Sequence, residues 1–264
     1  MLRVWVLLLA LTTSFSSVAA ESIGRVILSL GDNKAYNLRG LSRDLKRDDL
    51  VYEKERLVTG VRGRLHIRFN DGSSINMKPE SSLQLSRYQF EEKKPEQGQA
   101  VFQLMRGGLR TISGKIGKSN PDNYRFQTVL ATIGIRGTEY EVYVCDRCCA
   151  EKYDVTEGVA GGVDEGGIHV NTAVGKADLN PGLFFELARG ASGLNISDVR
   201  PAMLAIGDEK PYVKPQPVKT PEPAVMPAEQ SVEERCSGLT DFGELDAEME
   251  EIWGICGNQA TGGS

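Results

Sequence analysis

The side chains with the widest chemical repertoire in this chain are five cysteines and two histidines. The cysteines fall at Cys145, Cys148, Cys149, Cys236 and Cys256. Cys145-Asp146-Arg147-Cys148 has the CxxC spacing that can hold zinc or shuttle electrons. A tetrahedral zinc site needs four ligands, and no second CxxC is present to complete one. The strand–helix–strand surroundings of a thioredoxin-type pair are missing as well. Disulfide bonding is therefore the expected use of these cysteines, given an oxidising compartment. Five is an odd number, so one thiol stays free or pairs between chains, and the spacing leaves open which. Two histidines leave little room for histidine-based metal or acid–base chemistry. There is no Walker-type phosphate loop, HExxH or GxSxG sequence. The glycine runs at Gly158–Gly162 and Gly166-Gly167 open no helix that could cradle a phosphate. The sequence thus predicts no catalytic residue, no metal site and no cofactor. A pair of glycosidase-type carboxylates leaves no sequence signature, so an enzyme stands as the least favoured class.

A second grouping is electrostatic. Lys and Arg number 31 against 36 Asp and Glu, a formal charge of −5, which argues against a nucleic-acid binder. On this acidic background Arg62, Arg64, His66 and Arg68 recur at every second position, opposite Leu65, Ile67 and Phe69. Side chains alternate across a strand, so the basic residues share one face. Such a row could dock an anionic partner, a cell-wall polymer or an acidic receptor segment. Its plainer use is to keep an outward face soluble and unpaired, which is the favoured reading. His169, between Ile168 and Val170, is expected on a wet face, and Arg136 and Glu139 are expected to pair with each other or with neighbours.

The elements that would position these residues are almost all strands. From Ile23 to about Leu187, short alternating stretches are punctuated by glycine and Asn/Asp turns. Arg64–Phe69 reads as a strand, Asn70-Asp71-Gly72-Ser73 as a hairpin turn, and Ser74–Met77 as the returning strand. Further strands are predicted at Gly24–Leu30, Leu83–Leu85, Ala100–Met105, Asn123–Thr128, Thr138–Val144, Lys152–Val155, Gly167–Val170 and Leu183–Leu187. A string of this kind predicts an all-β domain, whether sandwich, roll or solenoid. Ser197 or Asp198 could cap a short helix through Val199–Leu204.

The two ends read differently. Residues 1–20 carry one early charge, an apolar run and a small-residue close at Val18-Ala19-Ala20, the pattern of a cleaved secretory signal. Residues 209–230 hold most of the chain's 11 prolines and read as an extended linker. In residues 231–264, Phe242, Leu245, Met249, Ile252 and Trp253 fall on one helical stripe between Cys236 and Cys256, the mark of a short helical tail. The β domain is placed at 21–208.

Arg56–Gly60, the strand Leu65–Phe69 and the run Asn70–Leu83, with its aspartate-glycine-serine turn and its Lys78-Pro79, resemble the core of the FecR-type periplasmic domain. Gly24-Arg25-Val26, Gly107–Arg110, Thr132–Val142 and Asn180–Leu183 are similar to that family's opening strand, its glycine turn, its arginine-glycine-threonine segment and its last turn. The resemblance spans residues 23–187. It implies a FecR-like β-solenoid or roll of short strands outside the cytoplasm, with no catalytic residues to carry over. Best-known members receive a signal from an outer-membrane receptor and pass it inward. They have a membrane span ahead of the domain, where this chain has a signal-like leader. The expectation is a non-catalytic binding or scaffolding protein of the periplasm, or secreted, whose partner is an envelope protein or cell-wall polymer and not nucleic acid. The alternative is a signal-transducing component coupled to a membrane partner, and after it a cell-wall-active enzyme. With the leader removed, the chain is not expected to be an integral membrane protein.

Overall fold

A computed structural model describes residues 21–208. The segments expected as a leader (1–20), a Pro-rich linker (209–230) and a helical tail with Cys236 and Cys256 (231–264) lie outside the described residues. Alternating burial runs through most of the strands, Leu65, Ile67 and Phe69 inward and Arg64, His66 and Arg68 outward being the plainest case. Seventeen strands result among the described residues. They are β1 (Ser22–Leu30), β2 (Asn33–Tyr36), β3 (Ser42–Asp44), β4 (Leu50–Tyr52), β5 (Arg56–Thr59), β6 (Arg64–Phe69), β7 (Ser74–Met77), β8 (Ser82–Gln89), β9 (Gln99–Ile112), β10 (Tyr124–Gln127), β11 (Ala131–Ile135), β12 (Glu139–Cys145), β13 (Gly158–Glu165), β14 (Ile168–Thr172), β15 (Gly175–Leu179), β16 (Phe184–Ala188) and β17 (Asn195–Ser197). Two short helices interrupt them, α1 (Lys115–Ser119) and α2 (Arg147–Tyr153). The domain is mostly β, as expected.

The pairings resolve into two layers that share one strand. The front layer runs β4-β1-β6-β7-β9-β12-β13-β16-β17. The back layer runs β3-β2-β5-β8-β9-β10-β11-β14-β15. All pairings are antiparallel except that of β9 with β10, where Tyr124 lies beside Ala100. The layers end on β4 and β17, and on β3 and β15, so the sheet stays open. Between them sits one core, in which Phe69 of the front packs on Tyr88 and Phe102 of the back, and Phe126 of the back meets Tyr140 of the front edge-on.

β9 belongs to both layers because it bends in the middle. Its first half pairs with β8 and its second half with β7 and β12. Gly107 makes the bend at φ +76°, and a Cβ there would lie 2.3 Å from Ser81 Oγ and 2.5 Å from Ser81 Cα. Only glycine takes that conformation in that space. The expected glycine turn at 107–110 is therefore a bend inside one continuous 14-residue strand.

Two further expectations are corrected. Lys152–Val155, predicted as a strand, instead holds the end of α2. Asp146 caps that helix by accepting a 2.9 Å hydrogen bond from the Cys149 amide, and Asp154 closes it in the left-handed region. Val199–Leu204, predicted as a helix, yields only a 3-10 turn at Ala202–Ala205. The residue before a proline disfavours helical geometry, and Arg200, ahead of Pro201, lies outside any helix. That turn packs Met203, Leu204 and Ile206 onto Tyr143, Cys145 and Ala160, with Cys149 and Ala150 beside them, forming a second small core on the outer side of the front layer. β12 is consequently buried on both faces over most of its length.

Candidate functional site

The aspartate-glycine-serine turn is structural. Asp71 is buried, and its carboxylate accepts from the Ser73 amide (3.1 Å), the Ser73 hydroxyl (2.6 Å) and the Tyr88 hydroxyl (3.0 Å). Its other oxygen faces the Ile116 amide in α1 at 3.4 Å. The turn thereby ties the β6–β7 hairpin to the back layer and to α1. Burial, before the Asp71 charge, pushes the Tyr88 hydroxyl well above its usual range, so it stays a donor.

Of the expected basic row, Arg64, His66 and Arg68 stand on the outer face of β6, and Arg62 is exposed in the turn preceding it. The row is not uniform. Arg64 is half-buried and donates to the Gly207 carbonyl at 2.7 Å, whereas Arg68 is exposed. Burial first, and then the charge of Arg68, holds His66 below its ordinary pKa. His169 is on the wet face as expected and bonds Asp178. Glu139 pairs with Arg110 at 2.9 Å, not with Arg136.

Next to that row lies a cluster that sequence spacing did not reveal. Residues 198–208 cross the outer face of the front layer as a strap. Lys78 donates to Asp208 at 2.6 Å and to the Leu204 carbonyl, with Glu141 at 3.8 Å. Arg200 forks onto Glu141 at 2.8 and 2.7 Å and reaches Asp208 at 2.9 Å. Two cations and two carboxylates thus balance, with the side chains of Lys78 and Glu141 only 10% and 11% exposed. Burial works against ionised Asp208, but the hydrogen bonds from Lys78 and Arg200 outweigh it and hold the carboxyl below its usual range. A buried pair of this kind fixes a geometry more surely than it adds stability. What it fixes here is the course of residues 200–208 across the sheet.

The three described cysteines gather at the neighbouring corner. Cys145, at the end of β12, is joined to Cys149 in α2, and Cys148 is free and exposed. The bond therefore spans four positions and bypasses the CxxC pair. Lys152 and Tyr153 of the same helix hold the Glu80 carboxylate at 2.5 and 2.9 Å. The Lys152 hydrogen bond is the main reason that carboxyl lies below its ordinary pKa. Glu80, Arg106, Tyr143, Cys148 and Lys152 line a cavity of about 80 Å³, small against the several hundred Å³ of a typical ligand site. A shallow depression of about 660 Å³ elsewhere is lined by half-buried Glu53 and by exposed Lys54, Glu91 and Lys94. Among the described residues, no three His, Cys, Asp or Glu side chains are grouped to hold a metal ion. No helix among them is long and apolar enough to cross a membrane.

What fold and site define together is a mostly β, two-layer domain whose charged side chains clamp a strap and a stapled helix onto one sheet. Residues 55–160 match the family model described as FecR protein. The match begins at Glu55 and runs into β13, so it takes in the basic row, Lys78, Glu141 and the disulfide. No curated protein matches the sequence. Among solved structures, two crystal structures of a candidate anti-sigma factor from Parabacteroides distasonis ATCC 8503 are similar, at 11% and 12% identity with TM-scores of 0.43 and 0.42. Each alignment covers 55% of this chain and 60% of that one, so less than two thirds of the neighbour is spanned. A cell surface anchoring domain aligns at 27% identity over 24% of this chain and 82% of its own, with a TM-score of 0.23.

Proposed function

We propose that this protein is a non-catalytic, signal-transducing component of the cell envelope, in which the FecR-type domain receives an envelope partner. The observation that carries the reading is the FecR match over residues 55–160, a family whose expected role is regulatory. The alternation of strand pairs between the two layers is read as the roll-like form of that domain. Residues 1–20 are assigned as a secretory signal, 21–208 as the receiving domain, 209–230 as a linker and 231–264 as a tail, with a periplasmic location. Transduction is preferred to passive scaffolding because the strap places the exit of the chain directly beside the basic row, through the Arg64–Gly207 hydrogen bond. A partner seated on that row would act within one side chain of the point where the linker begins.

The test is genetic. Deleting the gene should shift the transcript levels of a defined set of genes, and the full chain supplied in trans should restore them. A passive scaffold would leave transcripts unchanged while altering the recovery of an envelope complex, and that outcome would sink the proposal. Measured turnover of a cell-wall substrate that acid-to-amide substitutions abolish would replace it with an enzyme.

A further inference from the structure

The outer face of the front layer divides into two halves with opposite electrostatic character. On the β9–β12–β13 side several charges are matched by opposite ones. Arg110 faces Glu139 and Asp164, and Lys78 and Arg200 face Glu141 and Asp208. The strap covers part of this half. The adjacent β1, β6 and β7 contain no Asp or Glu at all, yet they carry Arg25, Arg64, His66 and Arg68. In a chain of formal charge −5 this is a local reversal of sign.

The placement of those charges is unfavourable to the isolated domain. Arg25 lies directly opposite Arg68 in the β1–β6 pairing, and like charges at opposed positions destabilise a sheet. Arg25 bonds only a backbone carbonyl, that of Asp48, and among the described residues neither arginine pairs with a carboxylate. On the same face Leu28 sits opposite His66 and Leu30 opposite Arg64. These leucines are 42% and 48% exposed, in positions where a soluble sheet face usually carries polar residues. Two local rules are broken together on one patch, the pattern expected where a surface is shaped for something other than stability.

The neighbouring strap shows what this sheet face accommodates. Its Met203, Leu204 and Ile206 supply apolar anchors, the Gly207 carbonyl takes the hydrogen bond of Arg64, and the Asp208 carboxylate meets a cation. We infer that the β1–β6–β7 face, which the strap of described residues leaves clear at Leu28 and Leu30, docks an acidic protein segment with interspersed apolar side chains. Its carboxylates sit between Arg25 and Arg68, and its apolar residues cover Leu28 and Leu30. A polyanionic glycan or a phosphate-rich polymer would satisfy the arginines and leave the leucines in water. The inference rests on the reading of this domain as a receiver and names the chemistry of what it receives.

The test titrates labelled peptides into the full chain at low and moderate salt. The probes are a peptide alternating Glu with Leu, the same peptide with Lys for Glu, oligoglutamate, and vesicles containing phosphatidylglycerol. The Glu/Leu peptide should bind at least tenfold more tightly than each of the others, and more weakly as salt rises. R25E should weaken binding tenfold or more while raising the melting temperature, because it turns the Arg25–Arg68 repulsion into an attraction. L28S/L30S should weaken it several-fold with the salt dependence retained. The inference is overturned if oligoglutamate or vesicles bind as well as the Glu/Leu peptide, if R25E leaves affinity unchanged, or if the face proves to be occupied by a second copy in a concentration-dependent dimer. Loss of peptide binding with the transcript response intact sinks this inference alone. Peptide binding without a transcript response sinks the signalling role alone.

Discussion

Replacing Lys78 by Met tests whether the charge cluster holds the strap. Met keeps most of the buried stem and removes the ammonium, so packing changes little while the cluster moves from balance to one excess negative charge. Removing one partner of a buried ion pair costs about 3–5 kcal/mol. Two features of the structure lower that figure. Glu141 keeps the Arg200 fork at 2.7–2.8 Å, and the Asp208 side chain is 37% exposed and can turn to water. The expected loss is then about 2–3 kcal/mol. For a unit of this size each kcal/mol shifts the melting temperature by about 2–4 °C, so a fall of about 4–12 °C is expected. If the strap lifts without global unfolding, the loss appears instead as faster amide exchange in residues 202–208, by about two orders of magnitude at 1.4 kcal/mol per decade. K78M/E141Q restores neutrality and should recover part of the loss. The assay is calorimetry joined to hydrogen exchange by mass spectrometry. A K78M protein that melts within about 1 °C of the parent, with unchanged exchange over 202–208, would refute the clamp.

Three further outcomes follow from the geometry. G107A should cost about 3 kcal/mol or more in urea unfolding, since the methyl meets Ser81 backbone at 2.5 Å and the residue must hold φ +76°, and an unaltered midpoint would show that β9 does not need its bend. C145A/C149A should lose about 2 kcal/mol, the entropy of a short closed loop, and should speed exchange in the strap packed on the same small core, whereas C148S should melt like the parent. His66 favours the fold while neutral, because burial and then Arg68 depress its folded pKa. Its contribution is intact above pH 6.5 and is lost as pH falls from there through the folded value, a slope that H66Q should remove and that NMR of the His66 imidazole should follow.

Much of the strand content was legible from alternation alone. β6 and β7 carry their inward and outward faces in plain order, and Asn70–Ser73 announces the hairpin between them. Elements failed to read where a local signal was outweighed by a distant one. Gly107-Gly108 looks like a break, yet it bends a strand whose continuation is dictated by β7 and β12. α2 is seven residues long, about two turns, too short for a periodic pattern to stand out, and is fixed by the Asp146 cap and the Cys145–Cys149 bond. The basic row was visible because its spacing is two. The clamp was not, because Lys78 and Asp208 lie 130 positions apart and no periodicity links them. That Arg25 faces Arg68 likewise depends on register, which pairing sets and composition does not.

The sharing of β9 between layers has a consequence for how the chain is made. β1 to β8 precede β9 in the chain, and β9 supplies a neighbour to β7 in one layer and to β8 in the other. Residues up to 112 can therefore close a two-layer nucleus with β9 as its leading margin, before the later strands are in place. Later strands add outward from that margin, β12 in one layer and β10 in the other, each templated by a partner already in place. The strap comes last, and its Asp208 closes on Lys78 from the first half and Arg200 from the second. Closure of the clamp is thus a signature that both halves have assembled in register, and it is set at the residue where the described domain ends.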